Sequence, residues 1–135
     1  MPVQVTPYVP RTITVHMGAP DEWAENVTVS FPDYVKNVAS SEIYPTWEPA
    51  AIQANILAIT SFALNRVYTE FYPSRGYDFQ ITSSTAYDQK FIRGRNIFEN
   101  ISRTVDEMFT DYIRREGFVE PLAAKFCNGT TSTCA

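Results

Sequence analysis

Residues 26–71 read NVTVSFPDYVKNVASSEIYPTWEPAAIQANILAITSFALNRVYTEF and carry the clearest structural pattern in the chain. Their first six side chains alternate between polar and apolar, which is the period of a half-buried β-strand, and Pro32 ends the alternation. Apolar residues then recur at helical spacing as far as Glu42, and Pro45 stops the helix shortly afterwards. This pattern predicts a strand followed directly by a short amphipathic helix, with Glu42 at the C-terminal end of that helix.

The second half of the stretch predicts a longer helix. Thr46 is its expected N-cap, and Glu48 and Pro49 fall in its first turn. The helix is expected to continue to about Phe71. Its apolar side chains cover nearly the whole circumference, so we expect it to run through the core. These apolar positions are Ile52, Ile56, Leu57, Ile59, Phe62, Ala63, Leu64 and Val67.

Two polar residues of this helix need an explanation. Asn55 and Arg66 fall on the same face at about 100° per residue, among apolar neighbours. A buried amide or guanidinium in such a place needs a hydrogen-bond partner. The alternative is that this edge of the helix meets solvent.

The segment before residue 27 is predicted to be less regular. Residues 1–26 contain four prolines and one glycine, a composition that interrupts secondary structure. We interpret them as an extended arm, although TITV at residues 12–15 has the composition of a short strand.

The segment after the long helix predicts loop and strand over residues 77–95, then a third helix. Asn96 and Glu99 have the spacing of a capping box at the start of that helix, and Gly117 is expected to close it. A final strand is predicted over residues 118–127. The apolar stripe of the third helix is Ile97, Ile101, Val105, Met108 and Tyr112.

These elements predict an α+β fold, a single domain in which a long buried central helix and flanking helices pack on a small β-sheet. A chain of 135 residues, 44% of them hydrophobic, supports one core of this kind, whereas two cores would each fall below a comfortable folding size. We therefore expect residues 1–26 to be the arm and residues 27–135 to be the domain.

Charge and hydropathy limit the partners. A formal net charge of −4 creates no field that would collect a polyanion, so no nucleic acid partner is expected. No apolar run approaches the length of about 20 residues that spans a bilayer, and the first residues, MPVQVTPYVP, lack a signal-peptide pattern. We expect no membrane span in this chain, and the sequence indicates no oligomeric state.

Cys127 and Cys134 lie close together in FCNGTTSTC. In an oxidising compartment we expect a short-loop disulfide, which stabilises by roughly 2–3 kcal/mol, and the alternative is two free thiols in a frayed tail. Together with His16 they are too few for a zinc site, which usually needs four ligands, or three and a water. No metal and no cofactor are expected.

Common catalytic motifs are absent, including a phosphate-binding glycine loop, HExxH and GxSxG. We interpret His16 as a solvated surface residue rather than a triad member. Carboxylate chemistry remains, because it needs only an acidic side chain in the right environment. For Glu42 the negative end of its helix opposes ionisation, and Tyr44 and Trp47 offer an apolar wall, so a raised pKa is expected. The alternative is an ordinary solvated glutamate.

The stretch YVKNVASSEIYPTWEPAAIQANILAITSFAL, residues 34–64, resembles the stage II sporulation protein D / LytB domain family. The pattern of that family is a YLxGVV-like helix, an AEMP-like turn, a tryptophan and an ALKAQAVAARTYA-like helix. TAYDQKF at residues 85–91 is similar to its DQVY-like segment, and FCNGTT at residues 126–131 resembles its S-x-G-x-T-like turn. The likeness covers roughly residues 27–131 and puts Glu42 on the family's catalytic glutamate.

This resemblance implies a peptidoglycan lytic transglycosylase. Such an enzyme cleaves MurNAc–GlcNAc bonds in glycan strands stripped of stem peptides, with Glu42 as the single acid/base, and leaves 1,6-anhydromuramic ends. The implied partners are glycan strands and other cell-wall or engulfment hydrolases, and the implied location is extracytoplasmic, at the cell wall or spore septum. The residues expected to bind substrate are Tyr87, Asp88, Gln89, Trp47, Asn55 and Asn128.

Some features depart from the family or leave alternatives open. Asn55 stands where the family has glutamine, Thr60 stands where it has arginine, and the zinc ligands of some members do not carry over. We also expect this chain to lack the glycine-rich segment and final helix with which the family ends.

The alternative function is a non-catalytic glycan-binding or amidase-enhancing module. The basic side chains Lys90, Arg93 and Arg95 either meet lactyl carboxylates of the glycan or form a solvated turn.

Overall fold

The structure is a computed structural model that describes residues 9–116, with side chains described as far as residue 109. In chain order the elements are β1 (Thr12–His16), β2 (Asn26–Ser30), α1 (Phe31–Glu42), α2 (Pro49–Tyr68), a 3₁₀ turn (Pro73–Arg75), β3 (Ile81–Thr82) and α3 (Glu99–Glu116). Helices packed on a small sheet confirm the predicted α+β class. Within the described range, no helix combines the length and the apolar character that a bilayer span requires.

The sheet has the strand order β2–β1–β3, so β1 is its central strand. β1 runs antiparallel to β2, with Thr12 opposite Ser30, and parallel to β3, with Val15 opposite Ile81. Ile13 and Val15 are fully buried. The interpretation of residues 1–26 as an arm is therefore wrong for β1, because the prolines and the glycine flank this short strand instead of interrupting it.

The core lies between the sheet and the three helices. α1 contacts both other helices and the strands β1 and β2, while α2 contacts α1, α3 and β3. The largest fully buried side chains are Tyr34, Phe31, Ile13, Ile56, Ile59, Leu64, Ile81 and Ile101. Burial of each contributes roughly 1.5–3 kcal/mol to folding. The apolar circumference of α2 is less completely buried than predicted, since Leu57 remains 45% exposed.

The helix boundaries follow local capping. The Ser30 hydroxyl accepts a hydrogen bond from the Asp33 N–H and caps α1. Thr46 is not the N-cap of α2, because that position is held by Glu48, which makes no side-chain cap bond. α2 also ends at Tyr68, three residues earlier than predicted, and Glu70 then adopts a positive φ of 49°.

The third helix begins at Glu99, so the predicted capping box at Asn96 is wrong. The Phe98 N–H just before it donates to Ser40 Oγ on α1. Several predictions fall outside the described residues. They are the end of this helix at Gly117, the strand over residues 118–127, the disulfide between Cys127 and Cys134, the role of Asn128 and the side chain of Tyr112.

Candidate active site

Glu42 is the last residue of α1 and lies at the edge of the core. Its side chain is half-buried, and its Oε2 accepts a hydrogen bond of 3.0 Å from the Lys90 N–H. Burial raises the pKa of Glu42 above its ordinary value, while the Lys90 N–H and the Lys90 ammonium act in the opposite direction. The predicted direction of the pKa shift is confirmed, and its main cause is loss of solvation.

The turn after Glu42 carries two exposed aromatic rings. Tyr44 is 67% exposed and Trp47 is 40% exposed, and their ring centroids lie 6.1 Å apart at a tilt of 60°. The Trp47 N–H donates to the Tyr44 carbonyl, and Asn100 Nδ2 donates to the Pro45 carbonyl. The turn is therefore stabilised by one internal hydrogen bond and by one hydrogen bond to α3, and its aromatic rings face outward.

Asp88 does not lie at a surface where a sugar could reach its carboxylate. Its side chain is 0% exposed, and its Oδ1 accepts a hydrogen bond of 2.6 Å from Arg66 Nε. Its Oδ2 accepts from the Tyr72 hydroxyl at 2.6 Å and from the backbone N–H and hydroxyl of Thr82. Asp88 is thus an internal anchor that ties the segment after β3 to α2, rather than a substrate contact.

Arg66 is the partner that holds Asp88. Its guanidinium also donates to the Tyr87 carbonyl and lies over the rings of Phe71 at 3.9 Å and Phe62 at 4.7 Å. A polar partner for Arg66 was the first of the two predicted alternatives, and the structure supports it over simple exposure. Burial, followed by the bond to Asp88, raises the pKa of Tyr72, so its hydroxyl stays protonated and donates.

Gln89 is likewise an internal residue, with 4% of its surface exposed. Its Oε1 accepts from the Tyr34 hydroxyl at 2.9 Å, and its Nε2 donates to the Ile59 carbonyl at 3.1 Å. Burial raises the pKa of Tyr34 well above its ordinary value, which keeps the hydroxyl a donor. The carboxamide therefore joins α1 to α2, and the substrate contact predicted for Gln89 is not available in this structure.

The remaining predicted substrate residues differ in accessibility. Tyr87, which directly precedes Asp88, is 53% exposed. Like Trp47, it presents an aromatic ring to solvent. Asn55 is half-buried, and its Nδ2 donates to the Ala51 carbonyl of its own helix. Tyr87 and Trp47 thus keep free surface, whereas Asn55 satisfies part of its hydrogen bonding locally.

The three basic residues after Gln89 have different surroundings. Lys90 is exposed beside Glu42, Arg93 forms a surface ion pair with Glu25, and Arg95 donates to Ser41 Oγ at 3.3 Å. The Arg95 guanidinium also lies 5.5 Å from the centroid of the Phe98 ring. Lys90 and Arg95 therefore bring positive charge to the end of α1, and Arg93 belongs to another contact.

His16 is buried, contrary to the interpretation as a solvated residue. It is 6% exposed and stacks on Phe79 with ring centroids 4.3 Å apart. Its Nδ1 lies 2.6 Å from Asn26 Oδ1 and its Nε2 lies 2.8 Å from the Glu22 carbonyl. The error follows from treating β1 as part of an arm, because a residue of the central strand faces neighbours on both sides.

Sequence reasoning missed Asn37, which is 7% exposed on α1. Its Nδ2 donates to the Ile92 carbonyl at 2.8 Å, and its Oδ1 accepts from the Ile92 N–H at 2.9 Å. The available signal was an amide among the apolar positions of a short helix. The backbone N–H of Lys90 could not be found in this way, since every residue except proline carries one.

Thr60 also has an unusual environment. It is 3% exposed on α2, and its Oγ1 is the one buried side-chain N or O atom among the described residues that lacks a hydrogen-bond partner. In the same part of the chain, no group of three or more His, Cys, Asp or Glu side chains is arranged to hold a metal ion.

The fold and site define a small α+β domain with a half-buried carboxyl at a helix end and exposed aromatic rings beside it. A family model described as stage II sporulation protein matches residues 20–111, which is more than half of the chain. The chain belongs to this stage II sporulation protein D family, which associates it with sporulation and the cell wall. Comparison with curated proteins and comparison with solved structures each gave no match.

Proposed function

We propose that the protein is a peptidoglycan lytic transglycosylase in which Glu42 is the single acid/base. The observation that carries this proposal is a half-buried carboxyl with a raised pKa, held at the end of α1 by one backbone N–H. A carboxyl group whose pKa is raised is better suited to donate a proton than a solvated one. Membership of a family associated with the cell wall supports the choice of substrate.

The reaction needs one carboxyl group because the sugar supplies its own nucleophile. Protonated Glu42 gives its proton to the glycosidic oxygen as the bond from that oxygen to muramoyl C1 breaks. The carboxylate then removes the proton from the C6 hydroxyl while that oxygen bonds to C1. The products are a new GlcNAc hydroxyl and a 1,6-anhydromuramoyl end, and Glu42 returns to its protonated form.

The surface around Glu42 supplies groups suited to a glycan strand. Tyr44 and Trp47 present aromatic area against which the apolar faces of sugar rings can stack. Lys90 and Arg95 carry positive charge that complements the lactyl carboxylates of a strand without stem peptides. Such a substrate belongs to an extracytoplasmic location, at the cell wall or the spore septum, where other cell-wall hydrolases would be partners.

The proposal is tested by incubating the protein with peptide-free glycan strands in H₂¹⁸O and analysing the ends by mass spectrometry. A lytic transglycosylase generates anhydromuramic ends that carry no ¹⁸O, because water is not the nucleophile. New reducing ends containing ¹⁸O would instead identify a hydrolase. Binding to the strands or stimulation of an amidase, without any new ends, would favour the glycan-binding or amidase-enhancing module.

A further inference from the structure

The Lys90 N–H that contacts Glu42 belongs to a segment, residues 88–92, that is fixed to the core on both sides of Lys90. Before Lys90, Gln89 bonds to the Tyr34 hydroxyl on α1 and to the Ile59 carbonyl on α2. After it, Asn37 on α1 makes two hydrogen bonds to the backbone of Ile92. The position of the Lys90 N–H is thus determined by side chains whose hydrogen bonds go to residues other than Glu42.

The Asn37 contact is specific for a carboxamide. A carboxamide has a donor and an acceptor side by side, so it can pair with the carbonyl and the N–H of one residue at once. Both bonds have ordinary lengths, 2.8 Å and 2.9 Å, and Asn37 is too deeply buried to touch a glycan. Aspartate of the same size has no donor for the Ile92 carbonyl, and alanine offers neither group.

A backbone donor held in this way has a defined effect on a half-buried carboxyl. It stabilises the carboxylate form against loss of solvation, and it carries no titratable proton of its own. It occupies Oε2, which leaves Oε1 as the oxygen available for exchange with a substrate. Because the donor is fixed before substrate binds, little reorganisation is needed when charge develops on Glu42.

We propose that Asn37 and Gln89 are positioning residues, which fix residues 88–92 so that the Lys90 N–H holds Glu42 Oε2 and directs Oε1 to the substrate. The catalytic part of this inference rests on the proposed function, whereas the coupling of Lys90 to Glu42 is a property of the protein alone. The two are therefore measured separately.

The coupling is measured by NMR on the whole chain. In the wild-type protein the Lys90 amide proton shift should follow the titration of the Glu42 carboxyl, and this response should vanish in Glu42→Gln. In Asn37→Ala the response should shrink, and the pKa of Glu42 should rise further because its donor is less well placed. Asn65→Ala, the same substitution at a half-buried position on α2 whose side chain makes no hydrogen bond to residues 88–92, is the matched control and should change neither quantity.

The catalytic part is measured by the kinetics of anhydromuramic end formation. Asn37→Ala should lower kcat by about tenfold to a hundredfold, as expected for a misplaced catalytic group, with KM changed less than twofold. Asn37→Asp, which keeps the acceptor for the Ile92 N–H but sets a carboxylate against the Ile92 carbonyl, should lower kcat at least as much as Asn37→Ala. If neither variant folds, the wild-type titration decides whether the Lys90 N–H is coupled to Glu42.

A wild-type Lys90 amide that ignores the Glu42 titration overturns the inference, whatever the activity. So does an Asn37→Ala protein that folds and keeps both the wild-type coupling and the wild-type kcat. A wild-type protein that shows the coupling but forms no anhydromuramic ends contradicts the proposed function and removes the catalytic role, while the structural link from Asn37 to Glu42 stands.

Discussion

Asp88 and Glu42 are both acidic residues shielded from water, Asp88 completely and Glu42 in part, and their surroundings differ. Asp88 is enclosed by a guanidinium, a phenol, a hydroxyl and a backbone N–H, whereas Glu42 has a single backbone donor. A buried carboxylate whose lost solvation is replaced by several hydrogen bonds is suited to holding parts of the fold together. A half-buried carboxylate with a single hydrogen-bond donor is suited to exchanging a proton.

The closed cluster around Asp88 predicts a large loss of stability when its charge is removed. Asp88→Asn leaves Arg66, whose side chain is only 17% exposed, without its counter-ion, and breaking a largely buried pair in this way costs about 3 kcal/mol, the lower end for buried pairs. Glu25→Gln is the control, because Glu25 and Arg93 form an ion pair that is more than half exposed on both sides, and its loss should cost less than about 1 kcal/mol. Denaturant unfolding measures both, and equal effects would show that Asp88 is not an anchor.

The raised pKa of Glu42 predicts a pH-dependent cost to stability. The folded protein holds the Glu42 proton more tightly than the unfolded chain, so stability falls as pH rises from the ordinary value of 4.5 through the folded pKa. Glu42→Gln removes this cost and keeps an acceptor for the Lys90 N–H. Its Tm should exceed that of the wild type at pH 7, and the difference should shrink below pH 4.5. A variant that is less stable at pH 7 would indicate that the Glu42 charge is structural.

At the scale of the elements, α2 contains a buried hydroxyl group that makes no hydrogen bond. The Thr60 hydroxyl is buried without a partner, whereas the Thr82 hydroxyl, equally buried on β3, donates to Asp88. Thr60→Val should therefore stabilise the protein by about 1 kcal/mol, since burying an unsatisfied polar group is unfavourable. Thr82→Val should destabilise it by about 1.5–3 kcal/mol. Thermal unfolding of both variants tests the contrast, and a loss of stability in Thr60→Val would mean that its hydroxyl has a partner.

At the scale of the whole molecule, the position of β1 makes part of the predicted arm essential for folding. A chain beginning at Val27 lacks the central strand and with it the buried side chains of Ile13 and Val15. This shorter chain should show no cooperative unfolding transition and no near-UV circular dichroism signal from packed aromatic side chains. A chain beginning at Val9 keeps every described residue and should retain both. Cooperative unfolding of the shorter chain would show that β1 is dispensable.

The sequence predicted the features that depend on local pattern. The alternation before Pro32 gave β2, and helical spacing gave α1 with Glu42 at its end. Two local predictions were wrong, the N-cap at Thr46 and the capping box at Asn96. The other failures concern features that depend on contacts distant in sequence. Nothing local to TITV indicates that it lies between two other strands, and nothing local to Asp88 indicates four donors around it. Residues 87–89 resemble a family segment and are predicted to bind sugar, but the side chains of Asp88 and Gln89 are buried.

Proton transfer by Glu42 is the central step of the proposed reaction, and its most direct measurement is the rate at which wild type and Glu42→Gln form anhydromuramic ends on peptide-free glycan. Glutamine keeps the size and the hydrogen bond to Lys90 but cannot exchange a proton, so the rate should fall by at least about 10²–10⁴-fold while circular dichroism shows an intact fold. A folded Glu42→Gln protein that forms these ends at the wild-type rate would contradict the role of Glu42 as the acid/base.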